Sequence, residues 1–219
     1  MSDDARPTRD AGAAETERQA RRELVAVLVL SATTILTAWS AFQASKWGGA
    51  MSIAFSEASS ARIESTRLDG AADVRTANQL GLWTEWASAT TDGDEPLATF
   101  LVDRFPEPLA TAHEDWLAAG GLAEDAPASP FELPSYVLPE RIEADEASQR
   151  AGDRFEVALR NNQRGDNYTV LTVLFAAVLF FTAMSGRVRA VRSQQALLGV
   201  ALVLGSIGLV LLLTFPKLV

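Results

Sequence analysis

Apolar residues are concentrated in three long segments of this chain. Residues 24–45, 167–186 and 193–216 contain no Asp, Glu, Lys or Arg over 22, 20 and 24 positions. A helix rises 1.5 Å per residue, so about 20 residues cross the roughly 30 Å hydrocarbon layer of a bilayer. The pattern predicts an all-α membrane protein with three transmembrane helices, over residues 22–45, 167–186 and 193–216.

Helical periodicity continues beyond the first span and precedes the second. Small and apolar residues recur about every 3.5 positions from Trp47, and again after Pro139. Such seams are typical of helices that pack closely in a coiled coil. We expect helices over about 22–91 and 139–186 whose outer parts form an antiparallel stalk. The seam residues are Met51, Ala54, Ala58, Ala61, Ser65, Leu68 and Ala72, and Ala144, Ala147, Ala151, Phe155, Ala158 and Asn162.

Turn-forming residues divide the part of the chain between these two helices. Asp94 is suited to cap a short helix that has Pro96 in its first turn. A second short helix is predicted to begin after Pro106 and to end at Gly120-Gly121. We expect these two short helices at the tip of the stalk. Residues 122–138 are predicted to form an extended loop that packs through Phe131, Leu133 and Tyr136.

Residues 1–20 have almost no large apolar side chains. Such a segment cannot bury enough surface to offset its ordering entropy, so we predict a disordered cytoplasmic tail, with a helical start near Ala14 as the alternative for its last residues.

Arginines flank the predicted spans asymmetrically, and basic residues near span ends favour the cytoplasmic side. They precede the first span and fill a basic turn at 187–192 between the second and third spans. The predicted topology is that of a multi-pass membrane protein, with its N-terminus cytoplasmic, residues 46–166 extracytoplasmic and its C-terminus extracytoplasmic. The residues that set this topology are Arg21, Arg22, Arg187, Arg189 and Arg192.

A cleaved signal peptide is the alternative interpretation of the first span. Arg21-Arg22, the apolar run and Ala38-Trp39-Ser40 fit that pattern loosely. The run is long for a signal peptide and extends past the possible cleavage site, so we favour an uncleaved anchor.

The charges of residues 46–166 exclude one class of partner. This segment has 10 basic and 22 acidic residues, a net charge of −12. Such a segment repels nucleic acids, so we predict no DNA or RNA binding.

The residue types needed for common active sites are scarce. The chain has no cysteine and one histidine, His113, which excludes disulfides, thiolate metal sites and a cysteine nucleophile. We interpret His113 as a surface residue of a short helix. Phosphate-binding loops and hydrolase motifs are also absent from the sequence. We therefore expect no catalytic residue, no metal site and no cofactor, and hence no enzyme.

The transmembrane segments carry small and hydroxyl-bearing residues in helical register. One face of the first span consists of Thr33, Thr37, Ser40 and Ala44, which indicates helix packing or, alternatively, a pore lining. A neighbouring face consists of Ala38, Ala41, Ser45 and Gly49, and the third span has Ala201, Gly205 and Gly208 on one side. Aromatic residues near the outer span ends are predicted membrane-interface anchors: Trp39, Trp47 and Tyr168.

Two short segments carry a resemblance to known sequences. They are Leu36-Thr37-Ala38-Trp39-Ser40-Ala41-Phe42-Gln43 and Asp166-Asn167-Tyr168. With the span layout, they resemble an uncharacterised family of bacterial integral-membrane proteins that have one N-terminal span, a helical extracytoplasmic segment and a C-terminal two-span hairpin. The resemblance implies this fold and a place in a bacterial inner membrane, but no chemistry.

Small-residue faces on the spans suggest contacts beyond a single chain. We therefore expect the lipid bilayer and either further copies or another membrane protein as partners. The predicted function is that of a non-catalytic, self-associating scaffold or accessory subunit of a membrane complex. The alternative is a homo-oligomeric ion channel that is lined by the first span and has an acidic outer vestibule.

Overall fold

The computed structural model describes the backbone of residues 6–218 and the side chains of residues 17 and 19–218. All regular structure in this part of the chain is helical, which confirms the predicted all-α class. The helices are α1 (Arg6–Asp92), α2 (Glu95–Val102), α3 (Leu109–Ala118), α4 (Pro139–Ser185) and α5 (Val191–Thr214), with a 3₁₀ turn at Pro130–Glu132. Three of these helices, α1, α4 and α5, are long and apolar enough to cross a membrane.

The N-terminal segment differs from its prediction. Residues 6–20 continue α1 as helix instead of forming a disordered tail, and residues 1–5 lie outside the described part. Alanine, glutamate and arginine are strong helix formers, and extending an existing helix avoids the cost of nucleation. The Arg21 guanidinium also contacts the Glu17 carboxylate at 2.9 Å, one turn away. Local propensity, not burial, explains this extension.

The connection between α4 and α5 is shorter than predicted. α5 begins at Val191, two residues before the expected start of the third span, so Arg192 lies in its first turn. Only residues 186–190 are non-helical, where the sequence predicted a basic turn over 187–192. Arginine favours helix, and its charge therefore does not mark the end of a helix.

The chain forms two compact units. Unit 1 contains residues 1–54 and 156–219, and unit 2 contains residues 55–155. α1 and α4 each contribute one part to each unit.

Within unit 2, α1 and α4 pack in opposite directions. Arg141 near the start of α4 pairs with Asp69 at 2.7 Å and also with Asp73. Farther along α4, Arg150 lies 3.4 Å from Glu64. Arg154 then lies 3.4 Å from Glu57. The partner numbers fall along α1 as they rise along α4, which fixes the antiparallel direction.

The predicted seams form most of the interface in unit 2. Ala72, Ala144 and Ala147 are at most 1% exposed. The structure differs later on α4, where Phe155 is 42% exposed and Asn161, not Asn162, is buried. Steps of three and four residues alternate along a seam, and the step after Ala158 is three, which turns Asn161 inward.

The short helices of unit 2 pack around an aromatic core. Asp94 accepts a hydrogen bond from the Leu97 backbone N–H at 3.2 Å, and Gly120 and Gly121 end α3 with positive φ, as predicted. Phe131, Leu133 and Tyr136, the loop residues that were predicted to pack, do contact the aromatic core. The core consists of Trp86, Ala89, Ala98, Leu101, Phe105, Leu109 and Trp116, with Trp83, Phe131, Leu133 and Tyr136 against it.

Unit 1 is held together by close contacts at glycine. A Cβ added to Gly208 of α5 would lie 2.7 Å from the Phe175 ring of α4. A Cβ built on Gly205 would lie 3.7 Å from a methyl carbon of Val178 of α4, which is an ordinary van der Waals distance. The small face predicted on the third span is therefore a helix-packing face within the chain.

Candidate functional site

The hydroxyl-bearing face of α1 lies inside unit 1. Thr33 and Ser40 are 5% and 0% exposed, and Thr37 and Ala44 are half-buried. The Thr37 hydroxyl donates to the Thr33 carbonyl at 2.7 Å, and that of Ser40 donates to the Leu36 carbonyl at 2.9 Å. Bonds to the preceding turn satisfy hydroxyls without a partner from another helix. Of the two interpretations of this face, its position in unit 1 favours packing.

A cavity adjoins this face. Its volume is about 170 Å³, and side chains of α1, α4 and α5 line it, among them Thr33, Phe175 and Gly205. Besides Thr33 of α1, the cavity has one more polar side chain, Ser206 of α5. The Ser206 hydroxyl donates to the Leu202 carbonyl at 2.8 Å. The walls are otherwise apolar, so the cavity provides no charged group for catalysis or ion binding.

Gln43 is the polar side chain that links distant parts of unit 1. It is fully buried, and its amide nitrogen donates to the Leu218 carbonyl at 3.2 Å. In return, the Leu218 backbone N–H donates to the Gln43 amide oxygen at 3.0 Å. The Tyr168 hydroxyl donates to the Pro216 carbonyl at 3.1 Å. These three bonds fix residues 216–218, and we call this arrangement the Gln43 clasp.

Sequence reasoning did not predict the Gln43 clasp. Both side chains lie in the segments that carry the family resemblance, and Gln43 is an uncharged polar residue in an apolar run. Its position four residues before Trp47, where the predicted seam begins, gives no hint of a partner, because a helical pattern does not show what folds back over it. A glutamine in an apolar run indicates that its side chain needs a hydrogen-bond partner, but it does not identify that partner.

The three predicted interface aromatics have different surroundings. Trp39 is 41% exposed, which is compatible with an anchor at a membrane surface. Trp47 and Tyr168 are 4% and 0% exposed, and they belong to one apolar cluster with Phe175. Their role as lipid-facing anchors is therefore not supported. Trp47 follows Ala44 by three residues, so it continues the buried face of α1.

One cationic side chain lies over the Trp47 ring. The Arg164 guanidinium lies 4.6 Å from the Trp47 ring centroid, a cation–π contact. The next residue, Gly165, packs beside Trp47, because a Cβ built there would lie at van der Waals distance, 3.6 Å, from Trp47 Cβ and from the Ala44 carbonyl oxygen.

The arginines that were predicted to set the topology flank the apolar parts of α1, α4 and α5. Arg21 and Arg22 precede the apolar part of α1. Arg187 and Arg189 lie exposed in the connection between α4 and α5, and Arg192 lies exposed in the first turn of α5. The structure thus gathers the last three at one connection and leaves their charges accessible.

His113 was expected at the surface, and this expectation is wrong. The side chain is 1% exposed, with its ring centroid 4.3 Å from that of Trp86 and 5.2 Å from that of Phe105. It shares the apolar stripe of α3 with Leu109 and Trp116, at steps of four and three residues. That periodicity was visible in the sequence. Burial lowers the pKa of the His113 imidazole below its ordinary value, so the ring is neutral at neutral pH.

Neither potential metal ligands nor known relatives assign a function to this protein. Among the described residues, no group of three or more His, Asp or Glu side chains is arranged to hold a metal ion. No family model, curated protein or solved structure matches this chain.

Proposed function

We propose that this protein is an integral membrane protein of the bacterial inner membrane that acts as a self-associating scaffold or accessory subunit and has no catalytic role. The apolar surface of unit 1 carries the proposal. Ile35 of α1, Val173 of α4 and Leu213 of α5 are 66–70% exposed. In water this exposure would favour aggregation, whereas in lipid it is the expected outer surface.

The arginine positions support an orientation in this membrane. With the exposed connection between α4 and α5 in the cytoplasm, residues 46–166 lie on the extracytoplasmic side as a helical stalk. The −12 charge of that segment does not oppose the orientation, because long segments cross largely regardless of their charge.

One face of α1 offers a place for self-association. Ala38, Ala41, Ser45 and Gly49 are all exposed, on a different side of α1 from the buried Thr33. Apart from its own turn of helix, no described part of the chain lies within 4 Å of a Cβ built on Gly49. Small residues allow helix backbones to approach closely in lipid, where van der Waals packing drives association. We therefore assign the contact between copies to this small face.

The alternative function, an ion channel, depends on the hydroxyl-bearing face of α1 that contains Thr33. A pore through an oligomer would need the Thr33 face open to the pore, but in unit 1 this face packs against the chain itself. Its hydroxyls also bond within α1. Both observations favour the scaffold over the channel.

Native mass spectrometry of the protein from native nanodiscs tests the proposal. We expect either a multiple of the 23.5 kDa chain or a stoichiometric complex with another membrane protein. If the chain self-associates, Ala41→Leu should shift it toward single copies, because the larger side chain separates the two backbones. Ala176→Leu is the matched control, since it makes the same change at an exposed position of α4.

Two results would contradict the scaffold. One is a wild-type chain that is always a single copy and co-purifies with no protein. The other is an ionic conductance in planar bilayers that Thr37→Leu abolishes, which would establish the channel instead.

A further inference from the structure

Unit 2 contains a cleft between the end of α1 and the two short helices. Its volume is about 260 Å³. Its polar groups are the side chains of Thr90, Glu95, Thr99 and His113. Its apolar walls are Trp86, Ala98, Val102 and Leu117.

Two of the polar groups at this cleft are buried without a hydrogen-bond partner in the chain. Both ring nitrogens of His113 lack a partner, although the side chain is 99% buried. The Thr90 hydroxyl oxygen is also buried without a partner. A buried polar group left unsatisfied is destabilising, and leucine or valine would fill the same space without that penalty. These groups are therefore suited to a partner that enters the cleft.

The charge and shape of the cleft restrict its ligand. Glu95 supplies a negative charge, no lysine or arginine lines the cleft, and the His113 ring is neutral at neutral pH. The Trp86 indole adds an aromatic wall, against which an apolar group can pack. The surrounding segment, with its net charge of −12, also raises the local concentration of cations. The cleft is smaller than the pockets that hold drug-sized molecules.

We propose that this cleft binds a small primary amine with an apolar body, with its ammonium group at Glu95 and its apolar part against Trp86. The neutral His113 ring and the Thr90 hydroxyl accept hydrogen bonds from the ammonium group. The site lies entirely in unit 2, so it does not depend on self-association or on the proposed scaffold role.

The single histidine makes a direct test possible. The full chain, labelled with ¹⁵N-histidine and purified in detergent with an affinity tag that contains no histidine, gives imidazole signals from His113 alone. The probe is 2-phenylethylammonium at pH 7.5, and the matched neutral probe is 2-phenylethanol. We expect a saturable change in the His113 shifts with the amine, and an affinity for the alcohol that is lower by about fivefold or more.

Two variants separate this site from non-specific uptake into the micelle. Glu95→Gln removes the charge and keeps the size, so it should reduce the preference for the amine over the alcohol. Glu114→Gln removes a carboxylate that neighbours His113 on α3 but does not line the cleft. It should leave the preference for the amine unchanged.

Three results would overturn the proposal. The first is no change in the His113 shifts up to the solubility limit of the amine. The second is equal affinity for the amine and the alcohol. The third is a preference for the amine that is undiminished in Glu95→Gln.

Discussion

Gln43 shows how a single buried amide gives the last described residues a fixed position. Its nitrogen and oxygen together satisfy both the N–H and the C=O of Leu218. In an apolar environment, each of these backbone groups would otherwise be left unpaired, which is costly in lipid. The Tyr168–Pro216 hydrogen bond adds a second point of attachment. Residues 216–218 thereby become part of unit 1.

Replacing Gln43 with leucine should release this segment. The change keeps an apolar volume but leaves the two Leu218 groups unpaired, so we expect a loss of about 1–3 kcal/mol in the free energy of unfolding. Faster hydrogen exchange of the Leu218 backbone amide in detergent is the direct measurement. Gln163→Leu is the control, because Gln163 is exposed and its amide bonds Asn167 on the same helix. Equal exchange in wild type and Gln43→Leu would contradict the role of the clasp.

At the scale of the element, α1 has one repeating pattern of burial. Buried or half-buried residues follow each other at alternating steps of three and four positions, from Thr33 through Trp47 and Ala72 to Ala89. The hydroxyl-bearing face and the small-residue seam are therefore successive parts of one seam, although they lie in different units. Such a repeat places small residues wherever α1 approaches another helix closely.

Enlarging one seam residue should destabilise unit 2. Ala72 is fully buried, so Ala72→Leu overpacks the interface and should lower the free energy of unfolding by about 1–3 kcal/mol. Ala71→Leu is the matched control, because Ala71 is the exposed neighbour of Ala72 on the same helix. Denaturation followed by tryptophan fluorescence measures the difference, since Trp83, Trp86 and Trp116 all lie in the core of unit 2. Equal midpoints for the two variants would show that the seam is not tightly packed.

Periodic features were predictable from the sequence, and contacts between distant segments were not. The existence of the long helices, the Asp94 cap, the glycines that end α3 and most of the seam residues follow from local rules about propensity and spacing. The helical N-terminal segment was missed because composition was weighed above propensity. His113 was missed because one histidine was judged by its charged neighbours and not by its spacing from Leu109 and Trp116.

The Gln43 clasp could not be predicted for a different reason. Its two partners are 175 positions apart in the chain. The bond depends on how residues 215–218 leave α5, and no pattern in those residues specifies that path. The cleft around His113 likewise needs three helices in place before its volume exists.

At the scale of the whole molecule, the charge distribution and the absence of cysteine combine to make the proposed topology directly measurable. The three arginines near the α4–α5 connection are exposed, and the loop after α3 contains the exposed Glu124. If the connection is cytoplasmic, then Glu124 and this connection face opposite sides of the membrane. The chain contains no cysteine, so one introduced thiol is the only thiol of the protein.

Cysteine labelling of spheroplasts should therefore distinguish the two sides. Glu124→Cys should react with a membrane-impermeant maleimide in intact spheroplasts, because residues 46–166 are proposed to be extracytoplasmic. Ala190→Cys, in the exposed connection, should react only after permeabilisation. Labelling in the reverse order would invert the topology, and labelling of both positions without permeabilisation would mean that α4 does not cross the bilayer. Replacing Arg187, Arg189 and Arg192 with glutamine should make the Ala190→Cys thiol partly accessible from outside, since these charges are proposed to hold the connection in the cytoplasm.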